Sequence, residues 1–404
     1  MFFRRQLSGP TQIPTGKHYL VVNTGSSSIK LVIFDAANLQ PIASGQARLI
    51  GQPHATLTTV RHDDSEDKTV AASFANDTDA LSQLMDWVAS VVSLTDIAAV
   101  GHRLVHGGPD YAKPVIITAD VFKKLQTLVP FDRLHMEAQL AVVTEMTQRL
   151  PHSAQVACFD TAFHHDLPEV AQTIALPRQY RELGIRRYGF HGLSYSYICS
   201  RIAELDGESA LQRRIIIAHL GSGASLAALK DGKPVDTTMG FSTNSGIVMS
   251  TRTGDIDAGV PLYLQQTTNL SLEQFAHIAS TESGLLGVSG KTADMYELLT
   301  VAAEDPDAAL AVDLFCYQAR KAIGSLAATL GGVDMLVFTG GIGERSAVIR
   351  KTICQGLEFL DISIELDEPD ADGMLSGAEN PVAVRVIPAN EELVIVRHIQ
   401  ELRS

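Results

Sequence analysis

Twice, the chain sets a short Gly/Ser turn between two strongly apolar runs. The first instance is "HYLVVNTGSSSIKLVIFD", residues 18–35, and the second is "IIIAHLGSGASLAALKDGK", residues 215–233. Apolar runs of this kind on either side of a short turn predict strand–turn–strand units. Each turn is entered through a polar residue: Asn23 ahead of Gly25 and Ser26, and His219 ahead of Gly221 and Ser222. One such hairpin constrains little, because Gly and Ser suit any solvated turn. Two with the same outline suggest duplicated lobes facing one ligand. The 404 residues exceed a single typical core, and 45% apolar content can fill two.

Between and after the hairpins, strands alternate with helical patterns. "DALSQLMDWVASVV" repeats Leu81, Leu84, Trp87 and Val88 at helical spacing. "IAAVGHRLVHGG" reads as a buried strand running into a glycine turn, and "AQVACFDTAF" as a strand ending at Asp160. "ADVFKKLQTLV" and "HMEAQLAVVTEMTQRL" read as helices. In "MLVFTGGIGERSAVIRKTICQGLEFL" a strand over 335–338 meets a glycine turn, followed by a helical stripe of Val348, Ile349, Ile353, Leu357 and Leu360. "IPANEELVIVRHI" starts a helix after Pro388. The mixture predicts an α/β architecture. The expected organisation is an extension over 1–17, an N-terminal lobe over 18–160 rejoined by a helix over 391–404, and a C-terminal nucleotide-binding and dimerisation lobe over 161–390.

A net charge of -14 argues against broad nucleic-acid binding, and no apolar run of 18 residues predicts a membrane span. It leaves room for an anionic ligand, since a few placed cations can dominate a local site. Cys158, Cys199, Cys316 and Cys354 form no CxxC pair, which favours a reducing cytosol. "MFFRRQLSGPTQIPTG" has no apolar segment after its arginines, so a signal peptide is not expected.

Several clusters carry potential chemistry, each with a plainer alternative. The turn from Asn23 to Lys30 is either a hairpin tip or a phosphate cradle of hydroxyls, amides and a lysine. "GHRLVHGG" sets Arg103 and Val105 on one face of an extended strand, suiting a small carboxylate with a short acyl tail, or else an edge ion pair. In "FDTAFHHD" a zinc site is disfavoured, because adjacent histidines diverge, whereas Asp160 could hold Mg²⁺ through water. In "RRYGFHGLSYSY", Ser196 spoils a nucleophile elbow, while His191 is either a core histidine or a donor to a transferring group. Arg252 in "MSTRTGDID" is a loop charge or an oxyanion clamp. Gly340, Gly341 and Gly343 sit at a strand-to-helix junction that attracts phosphate or the edge of a nucleotide. "GVSGKTAD" lacks the first P-loop glycine, and "GGIGERS" lacks the third glycine of a dinucleotide fingerprint. Glu391 and Glu392 have a sufficient dull role opposing a helix dipole.

In order along the chain, "VVNTGSSSIK", "GHRLVHGG", "FDTAFH", "RRYGFHG", "HLGSGAS", "VMSTRTGDID", "ESGLLGVSG", "VFTGGIGERS" and "IPANEEL" resemble the acetate kinase (acetokinase) family, from about residue 18 to the end. The resemblance implies a two-domain, duplicated ribonuclease H-like fold of the sugar-kinase, heat-shock ATPase and actin superfamily, with a cleft between domains. It implies a cytoplasmic homodimer that uses ATP/ADP and Mg²⁺, with Mn²⁺ able to substitute, and acts reversibly on acetate or acetyl phosphate. By position, the family's catalytic residues fall on Arg103, Asp160, His191 and Arg252. Its metal-linked residues fall on Asn23, Asp160 and Glu391, and its acyl pocket on Arg103, Val105, Leu134 and Phe190. The nucleotide and its phosphates would meet Ser26, Ser28, Lys30, His219, Gly221, Ser222, Gly223, Asp294, Gly340, Gly341, Ile342 and Gly343.

The implied chemistry suits these residues. A short carboxylic acid, with a pKa of about 4 to 5 by analogy with Asp and Glu, is already anionic at pH 7, so the nucleophile needs no general base. It needs repulsion between two anions cancelled and an in-line approach, which arginines, a histidine, Mg²⁺ and loop amides supply. Removing Arg103 or Arg252 is expected to cost orders of magnitude in turnover with the fold intact. The chain departs from the family pattern at Met136, Glu137, Ser222, Thr243, Ala258 and Tyr296. Thr243, where a proline is usual, raises the alternative of a preference for another short acid such as propionate. A different phosphotransferase or ATPase of the superfamily is a further alternative.

Overall fold

In the first hairpin, β1 (His18–Thr24) and β2 (Ser28–Asp35) pair antiparallel, with Val21 opposite Val32 and Asn23 opposite Lys30. The computed structural model describes residues 9–25, 27–62 and 67–403, so Ser26 and the first half of the N-terminal extension lie outside the described residues. β3 (Pro41–Arg48), β4 (Thr56–Arg61) and β5 (Lys68–Ala71) continue the antiparallel run. β6 (Ile97–Leu104) then lies parallel to β1. The two-residue β7 (Val115–Ile116) pairs antiparallel with β8 (Ala154–Phe159), which is itself parallel to β6. The sheet order is β5-β4-β3-β2-β1-β6-β8-β7.

A second sheet contains β9 (Ile215–Leu220), β10 (Ala224–Lys230), β11 (Lys233–Thr237), β12 (Met335–Thr339) and β13 (Ala383–Val386), in the order β11-β10-β9-β12-β13. Here β9–β10 and β10–β11 are antiparallel, while β9–β12 and β12–β13 are parallel. The run β3-β2-β1-β6-β8 is therefore repeated, strand for strand and direction for direction. The two Gly/Ser hairpins occupy equivalent places in the two sheets, and each sheet has the ribonuclease H-like order.

The chain divides into two units. One runs to Ala162 and resumes at Asn390, and the other is Phe163–Ala389. In the first, the helix Asp77–Val91 starts at the Asn76 cap and buries Leu81, Leu84, Met85 and Val88 against β2 and β3. Each such side chain contributes about 1.5–3 kcal/mol by leaving water. The helix Glu391–Arg403 lies on β1 and β6, with Val394, Ile395, Val396 and Ile399 buried. Its close seating depends on Gly101, where a Cβ would run into the Ile395 side chain. That seating carries the acidic start of a sequence-distant helix to the end of the first hairpin. In the second unit, the central strands Ile215–Leu220 and Met335–Thr339 are almost wholly buried, which explains their unbroken apolar runs.

Two sequence expectations need revision. β6 ends at Leu104, so strand alternation does not extend to Val105 and His106. The predicted stripe after the glycine turn is not one helix. A short helix, Gly340–Arg345, is followed by Ala347–Cys354 under a Ser346 cap. Val348 faces solvent, and Leu357 and Leu360 lie beyond Gly356, whose φ of +86° cannot continue a helix. All four cysteines are free thiols. Among the described residues no helix is long and apolar enough to cross a membrane.

Candidate active site

In the first unit five elements deliver one charged network. Arg103, next to the end of β6, directs Nη2 to Asp160 Oδ2 at 2.7 Å and Nε to both Asp160 oxygens at 3.1 Å. Its Nη1 donates to Asn23 Oδ1 at 3.2 Å and pairs with Glu391 Oε2 at 3.1 Å. Asn23 Nδ2 closes the ring by donating to the same Glu391 oxygen at 3.2 Å. Beside it, Lys30 Nζ pairs with Glu392 Oε1 at 2.8 Å. Glu392 is a residue that sequence reasoning left to the helix dipole. The register supplies the reason for the pairing: Asn23 and Lys30 are cross-strand partners at the end of the hairpin, beneath the acidic first helical turn.

Asp160 is 1% exposed. Burial pushes its carboxyl above the ordinary range, the Arg103 guanidinium pulls it back, and Glu391 adds to the upward push. Burial works against the Arg103 charge, yet Asp160 and Glu391 outweigh it and hold the guanidinium protonated. His135 also acts on Asp160, lowering its pKa. Its Nδ1 lies 2.9 Å from Asp132 Oδ1, at the cap of the helix Arg133–Arg149. Sequence reasoning passed over His135 in favour of its neighbour Leu134, which is half exposed in the same helical turn. Val105 is buried, and its amide donates to Gln139 Oε1 at 2.9 Å. In the hairpin turn, the Gly25 amide donates to the Ser28 carbonyl at 2.8 Å.

The second unit gathers a different set. His191 precedes the helix Gly192–Asp206 with φ 57° and ψ 23°, a left-handed conformation uncommon outside glycine. Its Nδ1 lies 2.8 Å from Ser225 Oγ, and Ser225 Oγ lies 2.6 Å from the Tyr195 hydroxyl. The His219 ring stacks on the His191 ring at 4.3 Å between centroids, with His219 Nδ1 held 2.8 Å from Ser194 Oγ. A methyl group built on Gly223 would sit 3.3 Å from His191 Nε2 and 3.4 Å from Arg252 Nη1. That glycine therefore leaves open the space where an imidazole nitrogen and a guanidinium converge. Arg252 Nη1 also donates to the buried Thr243 carbonyl at 3.2 Å. Phe190, the remaining predicted pocket residue, is 1% exposed, with its carbonyl against His164 Nε2.

The nucleotide candidates are less concentrated. Gly340 opens the turn with φ +78°, and a Cβ there would meet the Leu220 carbonyl at 2.8 Å, so no side chain fits. Its amide does not wait for a phosphate: it donates to Glu344 Oε1 at 2.9 Å, and the same oxygen accepts from the Ala389 amide at 2.9 Å. Glu344 was missed, although it stands inside "GGIGERS". Gly341 has nothing within 4 Å of a built Cβ, Ile342 is partly buried and Gly343 is buried. Ser222 is exposed, and its carbonyl accepts from the Ser250 amide, while the Gly221 amide donates to the Gly223 carbonyl. Asp294 caps the helix Met295–Val301, accepting from the Tyr296 and Glu297 amides, so the structure supplies a local role for it.

No three His, Cys, Asp or Glu side chains cluster as a metal cage among the described residues. His164 is buried, with burial lowering its pKa to about 4, while His165 pairs with Asp166. Magnesium needs no such cage, since one or two carboxylates with water and phosphate oxygens suffice. Asp160, Glu391 and Asn23 Oδ1, drawn around one guanidinium, are a hard-oxygen set of that type.

A family model described as the acetokinase family matches residues 18–397. An acetate kinase of Rhodopseudomonas palustris (strain TIE-1) is 40% identical over 395 residues, covering 95% of this chain and 98% of that protein. One from Phocaeicola vulgatus is 39% identical over 386 residues, covering 93% of this chain and 97% of that protein. Among solved structures, an acetate kinase of Porphyromonas gingivalis superposes with a TM-score of 0.84 at 34% identity, covering 96% of this chain and all of that one. A propionate kinase of Francisella tularensis superposes with a TM-score of 0.87 at 32% identity, covering 95% and 99%.

Proposed function

Because this chain belongs to the acetokinase family, we propose that it transfers the γ-phosphoryl group of ATP to acetate, reversibly, giving acetyl phosphate and ADP by direct in-line attack. The observation that carries this reading is family membership over residues 18–397 with the charged groups Lys30, Arg103, Asp160, His191, Arg252 and Glu391 of the motif set present. The acetate carboxylate is the nucleophile and is ionised at neutral pH, so no side chain has to remove a proton. The chemical problem is to bring two anions together. Arg103 is held charged by Asp160 and Glu391 and offers its guanidinium to the carboxylate. Arg252 and His191 Nε2 border the space over Gly223, where donors meet the equatorial oxygens of a phosphoryl group in transit. Preorganised donors of this kind account for most of phosphoryl-transfer catalysis.

Lys30 and Ser28 serve the nucleotide phosphates in this reading, with Lys30 leaving Glu392 for them. His219 backs His191, and the Gly340–Gly343 turn receives the nucleotide. Asn23, Asp160 and Glu391 would hold Mg²⁺, Asp160 through water, where the ion neutralises charge on phosphate oxygens. A cytoplasmic homodimer belongs to the same proposal. The helix Gly259–Thr268 supports the dimer, because it buries none of its residues and leaves Val260, Leu262 and Tyr263 exposed.

The test is hydroxylamine trapping of acyl phosphate with ATP, Mg²⁺ and a panel of short acids. Acetate-dependent hydroxamate is expected, and ATP hydrolysis without carboxylate dependence would refute the reading. A preference for propionate is the second reading. Thr243 stands where the family has proline, and a propionate kinase is among the structural matches. A higher kcat/KM for propionate than for acetate would select it.

A further inference from the structure

We infer that Ser225 and Tyr195 are positioning residues that fix the tautomer and orientation of His191, so that its Nε2 carries the proton offered to the transferring group. The inference rests on the reading above only for the identity of that group. The contacts stand independently of it. Ser225 Oγ lies between the Tyr195 hydroxyl at 2.6 Å and His191 Nδ1 at 2.8 Å. Both Ser225 and Tyr195 are fully buried.

A hydroxyl has one proton to give and can accept two. A phenol is the more acidic of two hydroxyls, so Tyr195 donates to Ser225 Oγ and leaves the serine proton for His191. The Ser225 hydroxyl then donates to Nδ1, which is therefore the unprotonated, accepting nitrogen. The neutral ring therefore carries its own proton on Nε2. That nitrogen is the one facing the space above Gly223, shared with Arg252 Nη1. The opposite tautomer would offer a lone pair there, which repels a phosphoryl oxygen instead of binding it.

The backbone makes the arrangement reproducible. Ser225 is the cross-strand partner of His219, so one hairpin carries both the hydroxyl that orients His191 and the imidazole stacked on it. Tyr195 stands four residues after His191, one turn into the helix that His191 precedes, and the Tyr195 amide donates to the His191 carbonyl at 3.0 Å. The phenol ring is in turn braced by Phe163 at 5.7 Å and by His164, edge-on, at 5.4 Å. None of this was legible as a motif. Ser225 reads as a strand serine, and Tyr195 belongs to a segment that superficially suggests a hydrolase elbow.

The experiment pairs kinetics with imidazole ¹⁵N spectra of the full chain. Wild type should show His191 as the Nε2–H tautomer. Ser225→Ala and, more weakly, Tyr195→Phe should shift that signal toward a tautomer mixture. They should lower kcat by about 10–100-fold, less than the loss of a whole transition-state donor, with both KM values within about two-fold. In a His191→Ala background, Ser225→Ala should lower kcat no further, since its effect passes through the imidazole. Nδ1 protonation in wild type would overturn the inference, as would an undiminished effect of Ser225→Ala in that background. Should Ser225→Ala fail to fold, Tyr195→Phe retains the ring packing and reads the same quantities. If His191→Ala leaves kcat intact, the proposed reaction role fails, while the tautomer spectra still decide the positioning.

Discussion

Replacing Arg103 with alanine should damage folding as well as catalysis. From sequence, loss of this arginine should abolish turnover and spare the fold. The structure gives a different expectation for stability. Arg103 makes three contacts to Asp160, one to Asn23 and one to Glu391. Asp160 is 1% exposed and Glu391 8% exposed, so neither carboxylate can turn to bulk water. Removing one partner of a buried ion pair typically costs about 3–5 kcal/mol, because the other charge stays buried and unpaired. Arg103→Ala should therefore lose stability on that scale at pH 8 as well as turnover. The loss should depend on pH in a defined direction. The folded-state pKa of Asp160 already lies above the ordinary 3.8, because burial favours the protonated acid. Without Arg103 the main opposing influence is gone, and the pKa rises further. A carboxyl raised in the folded state contributes stability that is fully present below the unfolded pKa. That contribution disappears as pH climbs through the folded value. Urea unfolding of Arg103→Ala and wild type at pH 5 and pH 8 should show the larger deficit at pH 8. Equal stability at pH 8, or a larger deficit at pH 5, would refute the account of Asp160 as a buried acid that relies on Arg103 as its counter-ion. Arg252→Ala removes a donor to the Thr243 carbonyl. It should lower turnover by orders of magnitude in the hydroxamate assay, and near-normal rates would remove Arg252 from the reaction.

Two further substitutions probe the second unit. Gly223 has no left-handed requirement, so Gly223→Ala should fold with stability within about 1 kcal/mol of wild type. Its methyl would stand 3.3 Å from His191 Nε2 and 3.4 Å from Arg252 Nη1, and misplacing reacting groups by about 1 Å costs about 100-fold. Normal turnover in the hydroxamate assay would show that the transferring group does not use that space. Glu344→Ala leaves the Gly340 and Ala389 amides without their shared acceptor. It should cost about 1–3 kcal/mol in thermal unfolding and raise the KM for ATP more than that for acetate, whereas an unchanged ATP KM would remove the glycine turn from the nucleotide site.

Much of the architecture was legible because its signals are local. Two apolar–Gly/Ser–apolar segments specified two hairpins, and β-branched apolar runs specified the buried parallel strands. Helix spacing failed only where Ser346 and Gly356 interrupt the pattern between Gly340 and Leu360, since a cap and a positive φ override periodicity. The residues of the ring, neutral Asn23 with charged Arg103, Asp160 and Glu391, were also nameable, each from its own motif.

What no stretch of sequence could state is which charge meets which. Glu392 pairs with Lys30 because a C-terminal helix returns to β1 and β6, a contact spanning most of the chain. The nine ordered motifs therefore determined the family, the hairpin pair and the chemical inventory. Tertiary structure alone decided that Arg103 is the counter-ion of Asp160 and Glu391, and that Asp294 and Gly340 are already engaged locally. It also decided that His191 is set by a buried serine and tyrosine. The physical reason is that propensity and periodicity act over a few residues, whereas ion pairing, burial and tautomer choice depend on groups brought together by the fold.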